Sequence, residues 1–155
     1  MKSKNEIRAE IRACRMDGSA DESLRRKMDG ESAAICRKIE RMEKFRRAQT
    51  VLSYTPMKGE VDVGLLDCGG KKVVKADCDW TEIPAGEIDF AIIPGVAFAR
   101  NASGGGNRLG RGGGYYDRLL PLLHCPCIAP AYPFQILDEI PSDPWDRPVD
   151  EVILP

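Results

Sequence analysis

The chain has 155 residues, of which 43% are hydrophobic and 30% are charged, and its formal net charge is −1. This composition is typical of a globular protein, and the near-zero charge argues against a nucleic-acid partner or an anionic membrane surface. We therefore predict a single domain covering residues 1–155. The start of the sequence lacks the apolar stretch of a signal peptide, and no apolar run approaches the length of a membrane span, which predicts a cytoplasmic protein without a membrane partner.

The first third of the chain has the hydrophobic spacing of helices, and we place the N-terminal helices within about residues 4–47. The apolar residues that recur three or four apart are Ile7, Ile11, Cys14, Leu24, Met28, Ile35, Ile39 and Met42. Asp17-Gly18 ends the first helix, and Ser19 with Glu22 forms a capping box for the second. The second helix continues to the end of this range, and Gly30 kinks or divides it.

From residue 50 onward, apolar runs alternate with helical patterns. Strands are predicted at residues 50–55, 72–75, 88–93, 127–131 and 150–154. Helical turns are predicted at 61–67, 115–123 and 134–138, whereas the polar stretch 78–87 predicts a loop. This alternation indicates an α/β fold with an open, mostly parallel sheet and helices on both faces. In such folds ligands bind at the carboxyl ends of the strands.

The segment after the third predicted strand contains two glycine clusters, at residues 104–106 and 110–114. The second cluster lies before a helix start, where main-chain N–H groups and the positive helix end favour an anion such as phosphate. Arg108 and Arg111 add planar cations that suit the same ligand. The segment is not a P-loop, because no Gly-Lys-Ser/Thr closes it. It is not the dinucleotide fingerprint either, because Tyr115 stands where the third glycine would be. The first cluster fits a flexible surface loop equally well.

The chain contains six cysteines and a single histidine, His124. None of the cysteines forms a CxxC pair, and the one close pair, Cys125-Pro-Cys127, is tighter than the usual zinc spacing. A cysteine–histidine metal site therefore has little support, and we predict free thiols in a reducing compartment.

Several segments together resemble the 5-formyltetrahydrofolate cyclo-ligase family, whose members are also called methenyltetrahydrofolate synthetases. These segments are PGVAF at 94–98, RLGRGGGYYDRLL at 108–120 and DRPVDEV at 146–152, with Lys4 and Arg8 near the start. The resemblance implies a Rossmann-like three-layer fold and the ATP- and Mg²⁺-dependent conversion of 5-formyltetrahydrofolate to 5,10-methenyltetrahydrofolate. In that reaction the formyl oxygen attacks the γ-phosphate of ATP, and the other folate nitrogen then closes the ring as phosphate leaves. This chemistry requires positioning and charge neutralisation more than a protein nucleophile.

The resemblance also implies roles for individual residues. Those expected to bind ATP are Lys4, Arg8, Arg108, Gly110, Arg111, Gly112, Gly113, Gly114 and Tyr115. Arg108 and Arg111 are the expected catalytic residues, and Asp117 and Asp146 are the expected Mg²⁺ ligands. The residues expected on the folate side are Met57, Glu60, Phe98 and Tyr116.

Residue chemistry alone leaves structural alternatives open. Lys4 and Arg8 also fit an exposed helix face, Asp117 fits a stabilising carboxylate at a helix start, and Glu60 fits an exposed turn. Family members are expected to have a longer segment than residues 69–87 provide. A second hypothesis is therefore a nucleotide- or folate-binding module that has lost turnover, and a third is a phosphotransferase acting on another small substrate. Both a monomer and a homodimer fit the sequence.

Overall fold

The computed structural model describes residues 1–15 and 21–155 in full and gives residues 16–20 only as the end of the first helix. The helices are α1 (Lys4–Ala20), α2 (Glu22–Arg41), α3 (Glu43–Arg47) and α4 (Tyr115–Leu119). The strands are β1 (Thr50–Ser53), β2 (Lys72–Lys75), β3 (Phe90–Ile92), β4 (Ala97–Arg100), β5 (Gly106–Leu109), β6 (Cys127–Pro130) and β7 (Glu151–Ile153).

Five of the strands form one parallel sheet in the order β2-β1-β3-β6-β7. Leu52 of β1 pairs with Ala91 of β3, and Ile92 of β3 pairs with Ile128 of β6. These are the five strands that the apolar runs predict, and the open parallel α/β fold is confirmed. None of the described helices is both long enough and apolar enough to cross a bilayer.

Both faces of the sheet are covered, because successive side chains of a strand point to opposite sides. On one face the side chains of Val51, Phe90 and Ile92 pack with Ile35 and Ile39 of α2, and all five are fully buried. The opposite face packs against α4 and the segment that follows it. Residues contributing to that second core include Leu52, Ala91, Ala129, Val152, Leu119 and Leu123. Each fully buried aliphatic or aromatic side chain contributes about 1.5–3 kcal/mol relative to an exposed one, so the two cores fix the three layers.

A third, smaller core holds α1 beside the carboxyl end of the sheet. Ile7 and Ile11 of α1 pack with Val96, Leu109 and Ile140, and all five side chains are buried. The helical spacing predicted for α1 therefore faces the protein as expected. This packing places the N-terminal helix next to the glycine segment.

β4 and β5 form an antiparallel hairpin. The sequence pattern predicts no strand between residues 94 and 114 and treats this segment as a glycine-rich loop, so that prediction is wrong. Polar and glycine residues interrupt the strand alternation there, which hides both strands from a pattern search. The first glycine cluster is not a flexible surface loop either, since Gly105 and Gly106 are buried. A Cβ atom on Gly106 would lie 2.4 Å from the Ala99 carbonyl oxygen, and one on Gly105 would lie 2.7 Å from that of Val149. These glycines allow two backbones to pack closely.

The helix boundaries differ from prediction in several places. α2 ends at Arg41 and breaks at Met42, not at Gly30, which lies within α2. Asp21 caps α2, with its carboxylate accepting a hydrogen bond from the Ser23 N–H at 2.8 Å. α1 continues to Ala20, past the end predicted at Asp17-Gly18, and α2 begins at Glu22 with Asp21 as its cap instead of the predicted Ser19, so both predictions are wrong.

The short helical segments of the structure are mostly 3₁₀ turns, and two of them lie within the stretch 78–87 that the sequence predicts as a loop. The structure has such turns at Val63–Leu65, Trp80–Glu82, Ala85–Glu87, Leu120–Leu122 and Pro133–Gln135. Segments of this length form too few hydrogen bonds to sustain an α-helix. The six cysteines are all free thiols, as predicted.

Candidate active site

The site is built where the carboxyl ends of β1 and β3 meet the hairpin and α1. β1 leads into the turn that contains Met57 and Glu60, and β3 leads into Pro94-Gly95 and β4. β5 then delivers the glycine loop, residues 110–114, to the same region. The Arg15 guanidinium of α1 donates to the Gly95 carbonyl at 2.9 Å, which ties the helix to this edge of the sheet.

The glycine loop is exposed at Arg111, Gly112 and Gly113. Gly112 has φ of 112° and Gly114 has φ of 72°, a conformation that favours glycine. In the part of the chain that the structure describes, no main-chain or side-chain acceptor receives a hydrogen bond from the N–H groups of residues 111–114. Within the described residues these N–H groups therefore remain available to an anion that binds at the exposed loop.

Arg111 connects this loop to Glu60 at the end of the β1 turn. Its guanidinium donates to Glu60 Oε1, and the Met57 N–H donates to Glu60 Oε2 at 3.1 Å. Glu60 is buried, with 7% of its surface exposed, so the alternative of an exposed turn residue is wrong. The Arg111 side chain remains 53% exposed and can contact a ligand while it neutralises the buried carboxylate.

Arg108 lies on β5 and not in the loop. Its guanidinium donates to the Pro94 carbonyl at 2.9 Å and lies 3.9 Å from Asp117 Oδ1 and 5.1 Å from the centre of the Tyr116 ring. Burial lowers the pKa of Arg108, an effect that the Asp117 carboxylate opposes. A Cβ atom on Gly110 would lie 3.0 Å from the guanidinium, so the Arg108 side chain packs directly against the first residue of the loop.

Lys4 and Arg8 lie on one face of α1 and both contact the site, so they are not simply an exposed helix face. Arg8 Nε donates to the Gly110 carbonyl at 2.8 Å. Lys4 Nζ lies 2.5 Å from both Asp143 Oδ2 and Asp146 Oδ2. Burial alone would raise the pKa of Asp146, but the hydrogen bonds from Lys4 and the Asp143 N–H, together with the Lys4 charge, lower it.

Asp117 and Asp146 come from separate elements and lie in the same region. Asp117 Oδ1 accepts from the N–H of Arg147, the residue after Asp146, at 3.3 Å. The described residues contain no group of three or more His, Cys, Asp or Glu side chains that could hold a metal by themselves. Two carboxylates do fit Mg²⁺ bound with a nucleotide, since Mg²⁺ takes one or two carboxylates and completes its shell with phosphate oxygens and water.

The expected folate-side residues have different surroundings. Met57 is 53% exposed and lines a groove of about 350 Å³. The other residues lining this groove are Arg8, Arg12, Arg15, Lys58, Val96 and Arg111. Phe98 is fully buried in the core, so its expected place in a pocket wall is wrong: β4 turns its side chain toward the sheet. Tyr116 lies beneath Arg108, and the Tyr115 hydroxyl donates to the Cys78 carbonyl at 2.9 Å, anchoring α4.

Sequence reasoning missed Arg12, Arg15 and Lys58 in the groove, and it gave Asp143 no role in the site. A signal for Arg12 was present, because Lys4, Arg8 and Arg12 recur every four residues and so share one helix face. No comparable signal identifies Lys58 or Asp143, whose positions depend on loops.

A family model supports the same interpretation. The model of the 5-formyltetrahydrofolate cyclo-ligase family matches residues 74–155, just over half of the chain. The chain belongs to the 5-formyltetrahydrofolate cyclo-ligase family.

Individual relatives of this cyclo-ligase family extend the comparison. A 5-formyltetrahydrofolate cyclo-ligase of Haemophilus influenzae is 36% identical over 75 residues, which cover 46% of this chain and 38% of that protein. The chain thus spans well under two thirds of the curated relative that it matches. A solved 5,10-methenyltetrahydrofolate synthetase of Mycoplasma pneumoniae superposes with a TM-score of 0.77 and 27% identity over 99% of each chain. A synthetase of Aquifex aeolicus gives a TM-score of 0.77 and 28% identity over 97% of this chain and 88% of that chain.

Proposed function

We propose that this chain converts 5-formyltetrahydrofolate to 5,10-methenyltetrahydrofolate, using ATP and Mg²⁺, in the cytoplasm and as a monomer or homodimer. One observation carries the proposal. A glycine loop that carries Arg111 lies beside Arg8 and close to carboxylates from two separate elements, its N–H groups have no acceptor among the described residues, and the chain belongs to the cyclo-ligase family. This combination suits a triphosphate with its metal.

The phosphates of ATP would contact the loop and the cations around it. The N–H groups of residues 112–114 are free to donate, and the guanidinium groups of Arg8 and Arg111 flank them. Asp117 and Asp146 would hold Mg²⁺, which neutralises charge on the phosphate oxygens when bound. Lys4 is close enough to Asp146 to join this network.

The reaction needs no protein nucleophile. The formyl oxygen of the substrate attacks the γ-phosphorus and ADP leaves. The second folate nitrogen then adds to the formyl carbon and releases its proton to water, and phosphate departs with the original oxygen. The protein must hold the two substrates in line and stabilise the charge that develops on the transferred phosphoryl group. Arg111 is suited to this role because its guanidinium is half exposed and is held in place by Glu60.

The groove beside the loop suits a folate. Met57 and Val96 provide apolar surface for an aromatic ring system, and Arg12 and Lys58 provide cations for the carboxylates of its glutamate moiety. Glu60 contacts two residues of the groove wall, Met57 and Arg111, and a carboxylate can pair with the amino-pyrimidinone edge of a pterin. The size and charge of the groove therefore agree with the proposed substrate class.

The proposal is tested with the purified protein, Mg·ATP and 5-formyltetrahydrofolate by following the growth of methenyl absorbance. Arg111→Ala is expected to lower kcat/KM by about 10²–10³-fold, the usual cost of losing one donor to a developing charge. Arg100→Ala removes an exposed arginine of β4 and is expected to keep full activity. A folded protein that binds ATP but shows no absorbance growth would eliminate the proposed reaction.

The alternatives of a binding module or of a different phosphotransferase arose from the short stretch at residues 69–87. The Mycoplasma pneumoniae synthetase superposes over 99% of both chains, so an overall length of this order is shared with a protein of that name. The short stretch therefore does not favour a loss of turnover. Saturable ATP binding that no folate affects would revive the binding-module alternative.

A further inference from the structure

We propose that Lys4 is an exchangeable counter-ion: its ammonium neutralises Asp143 and Asp146 until a divalent cation displaces it, and it then contacts the phosphates of the nucleotide. This inference rests on the proposed function, because it concerns the same metal and nucleotide. It adds a role for Lys4 and Asp143 in the order and synergy of binding.

Asp146 Oδ2 is occupied by two donors, and one of them is Lys4. Lys4 Nζ lies 2.5 Å from Asp146 Oδ2 and 2.5 Å from Asp143 Oδ2, so the ammonium bridges the two carboxylates. The same oxygen of Asp146 also accepts the Asp143 N–H at 2.8 Å. The Asp146 and Lys4 side chains are 14% and 22% exposed, whereas that of Asp143 is 40% exposed, so the bridge is partly withdrawn from water on the Asp146 side.

A metal ion and the ammonium cannot share this oxygen. A magnesium ligand oxygen lies about 2.1 Å from the ion. With the ammonium nitrogen at 2.5 Å from that oxygen, two positive charges would be only about 4 Å apart, where their repulsion is strong in a partly buried site. Coordination through Asp146 Oδ2 therefore requires Lys4 to leave.

The position of Lys4 allows it to move a short distance to a new anion. It is the first residue of α1, and its flexible four-carbon stem carries a compact charge. Arg8, one turn further along the same helix face, already donates to the Gly110 carbonyl. The face that carries Lys4 thus borders the glycine loop, and a released ammonium remains beside the nucleotide phosphates.

This exchange couples the metal to the nucleotide. A divalent cation that binds without nucleotide must displace Lys4 from Asp143 and Asp146, and it supplies no other anion for the ammonium. The cation alone therefore binds weakly. A nucleotide supplies that anion, so each ligand strengthens the binding of the other. If Lys4 only attached α1 to the segment at residues 143–146, its removal would lower stability but would not alter this coupling.

The test uses Mn²⁺ as the probe, with free Mn²⁺ measured by electron paramagnetic resonance in the presence and absence of ATP and without folate. Lys4→Gln is expected to bind Mn²⁺ alone about tenfold more tightly than wild type, within the usual range of coupling between sites, and to lose most of the enhancement by ATP. The matched control is Lys2→Gln, since Lys2 pairs with Glu10 at 2.7 Å on an exposed face. Asp146→Asn assigns the measured binding to this site.

The Mn²⁺ measurements distinguish failure of the Lys4 exchange from failure of the metal site. Equal Mn²⁺ affinity in wild type and Lys4→Gln, or an undiminished ATP effect in Lys4→Gln, would overturn the exchange and leave the proposed function intact. Absence of Mn²⁺ binding in wild type even with ATP would instead remove the metal site itself. If Lys4→Gln fails to fold, Lys4→Arg provides the test: its permanent, bidentate cation should weaken Mn²⁺ binding below wild type, and unchanged binding would contradict the exchange.

Discussion

Arg111 and Glu60 form the contact that connects the glycine loop to the end of β1. Glu60 is almost fully buried, whereas the Arg111 side chain is 53% exposed. The loop therefore depends on a carboxylate that is expensive to bury without its cation. The same pair keeps the Arg111 guanidinium beside the exposed N–H groups of the loop, where the proposed phosphate would bind.

A double-mutant cycle on this pair tests that dependence. Among the described residues, Arg111→Met leaves the Glu60 carboxylate with only the Met57 N–H as a hydrogen-bond partner, and it should cost about 1–3 kcal/mol in the free energy of unfolding. Adding Glu60→Gln should recover part of the loss, so the double variant is less destabilised than the two single effects summed. Urea denaturation measures all three variants.

The exposed pair of Arg26 with Glu22 on α2 provides the control for this cycle. Their side chains are 79% and 70% exposed, and Arg26→Met should cost no more than about 0.5 kcal/mol. A cost for Arg111→Met as small as that for Arg26→Met would show that Glu60 does not need its cation for stability.

At the scale of elements, the β4–β5 hairpin determines the shape of the site. It places Arg108 beneath the loop and carries the loop at its end. Two additional contacts hold it in place: Gly106 exchanges hydrogen bonds with Val149 at 3.1 and 3.0 Å, and the Phe98 carbonyl accepts from the Leu137 N–H at 2.8 Å. The hairpin is thus attached to the C-terminal part of the chain.

Gly106→Ala should therefore destabilise the protein. The added methyl would lie 2.4 Å from the Ala99 carbonyl oxygen, which is main chain and cannot move aside without separating β4 from β5. We expect a loss of about 1–3 kcal/mol in the free energy of unfolding, the usual cost of overpacking. Gly86→Ala is the control, because no atom lies within 4 Å of its added methyl. Equal stability of the two variants would mean that the hairpin tolerates a wider spacing.

At the scale of the whole molecule, α1 connects the two ends of the chain through Lys4 and the carboxylates of Asp143 and Asp146. Burial tends to lower the pKa of Lys4, but the two hydrogen-bonded carboxylates raise it above 10.5. Burial likewise tends to raise the pKa of Asp146, yet hydrogen bonding and the Lys4 charge bring it below 3.8. Both shifts mean that the charged forms are stabilised by folding.

The pH dependence of stability follows from these directions. The Asp146 contribution is present above pH 3.8 and is lost as the pH falls through its lower folded pKa. The Lys4 contribution is present below pH 10.5 and is lost as the pH rises through its higher folded pKa. The stability difference between wild type and Lys4→Gln, measured by denaturant unfolding, should be largest between these values and should decrease on both sides. A difference that stays constant across the series would contradict the assignment.

The α/β class, the five parallel strands and the glycine segment can be read directly from the amino-acid sequence. These features are local: apolar alternation marks a buried strand within a few residues, and a cluster of glycines is visible as such. The residues that carry the family resemblance are also short segments. Lys4, Arg8 and Arg111 could therefore be named as site candidates before any contact was known.

The partners of these residues, in contrast, depend on how the whole chain folds. The Lys4 bridge joins positions 139 and 142 residues apart, and the Arg111–Glu60 pair joins positions 51 apart. The inward orientation of Phe98 and the pairing of β4 with β5 result from packing against the sheet and α1. The weak strand propensity of this segment does not indicate either feature. A polar side chain stabilises the fold by bonding whichever partner the chain topology brings within hydrogen-bond distance. No periodic pattern in the sequence indicates which partner that is.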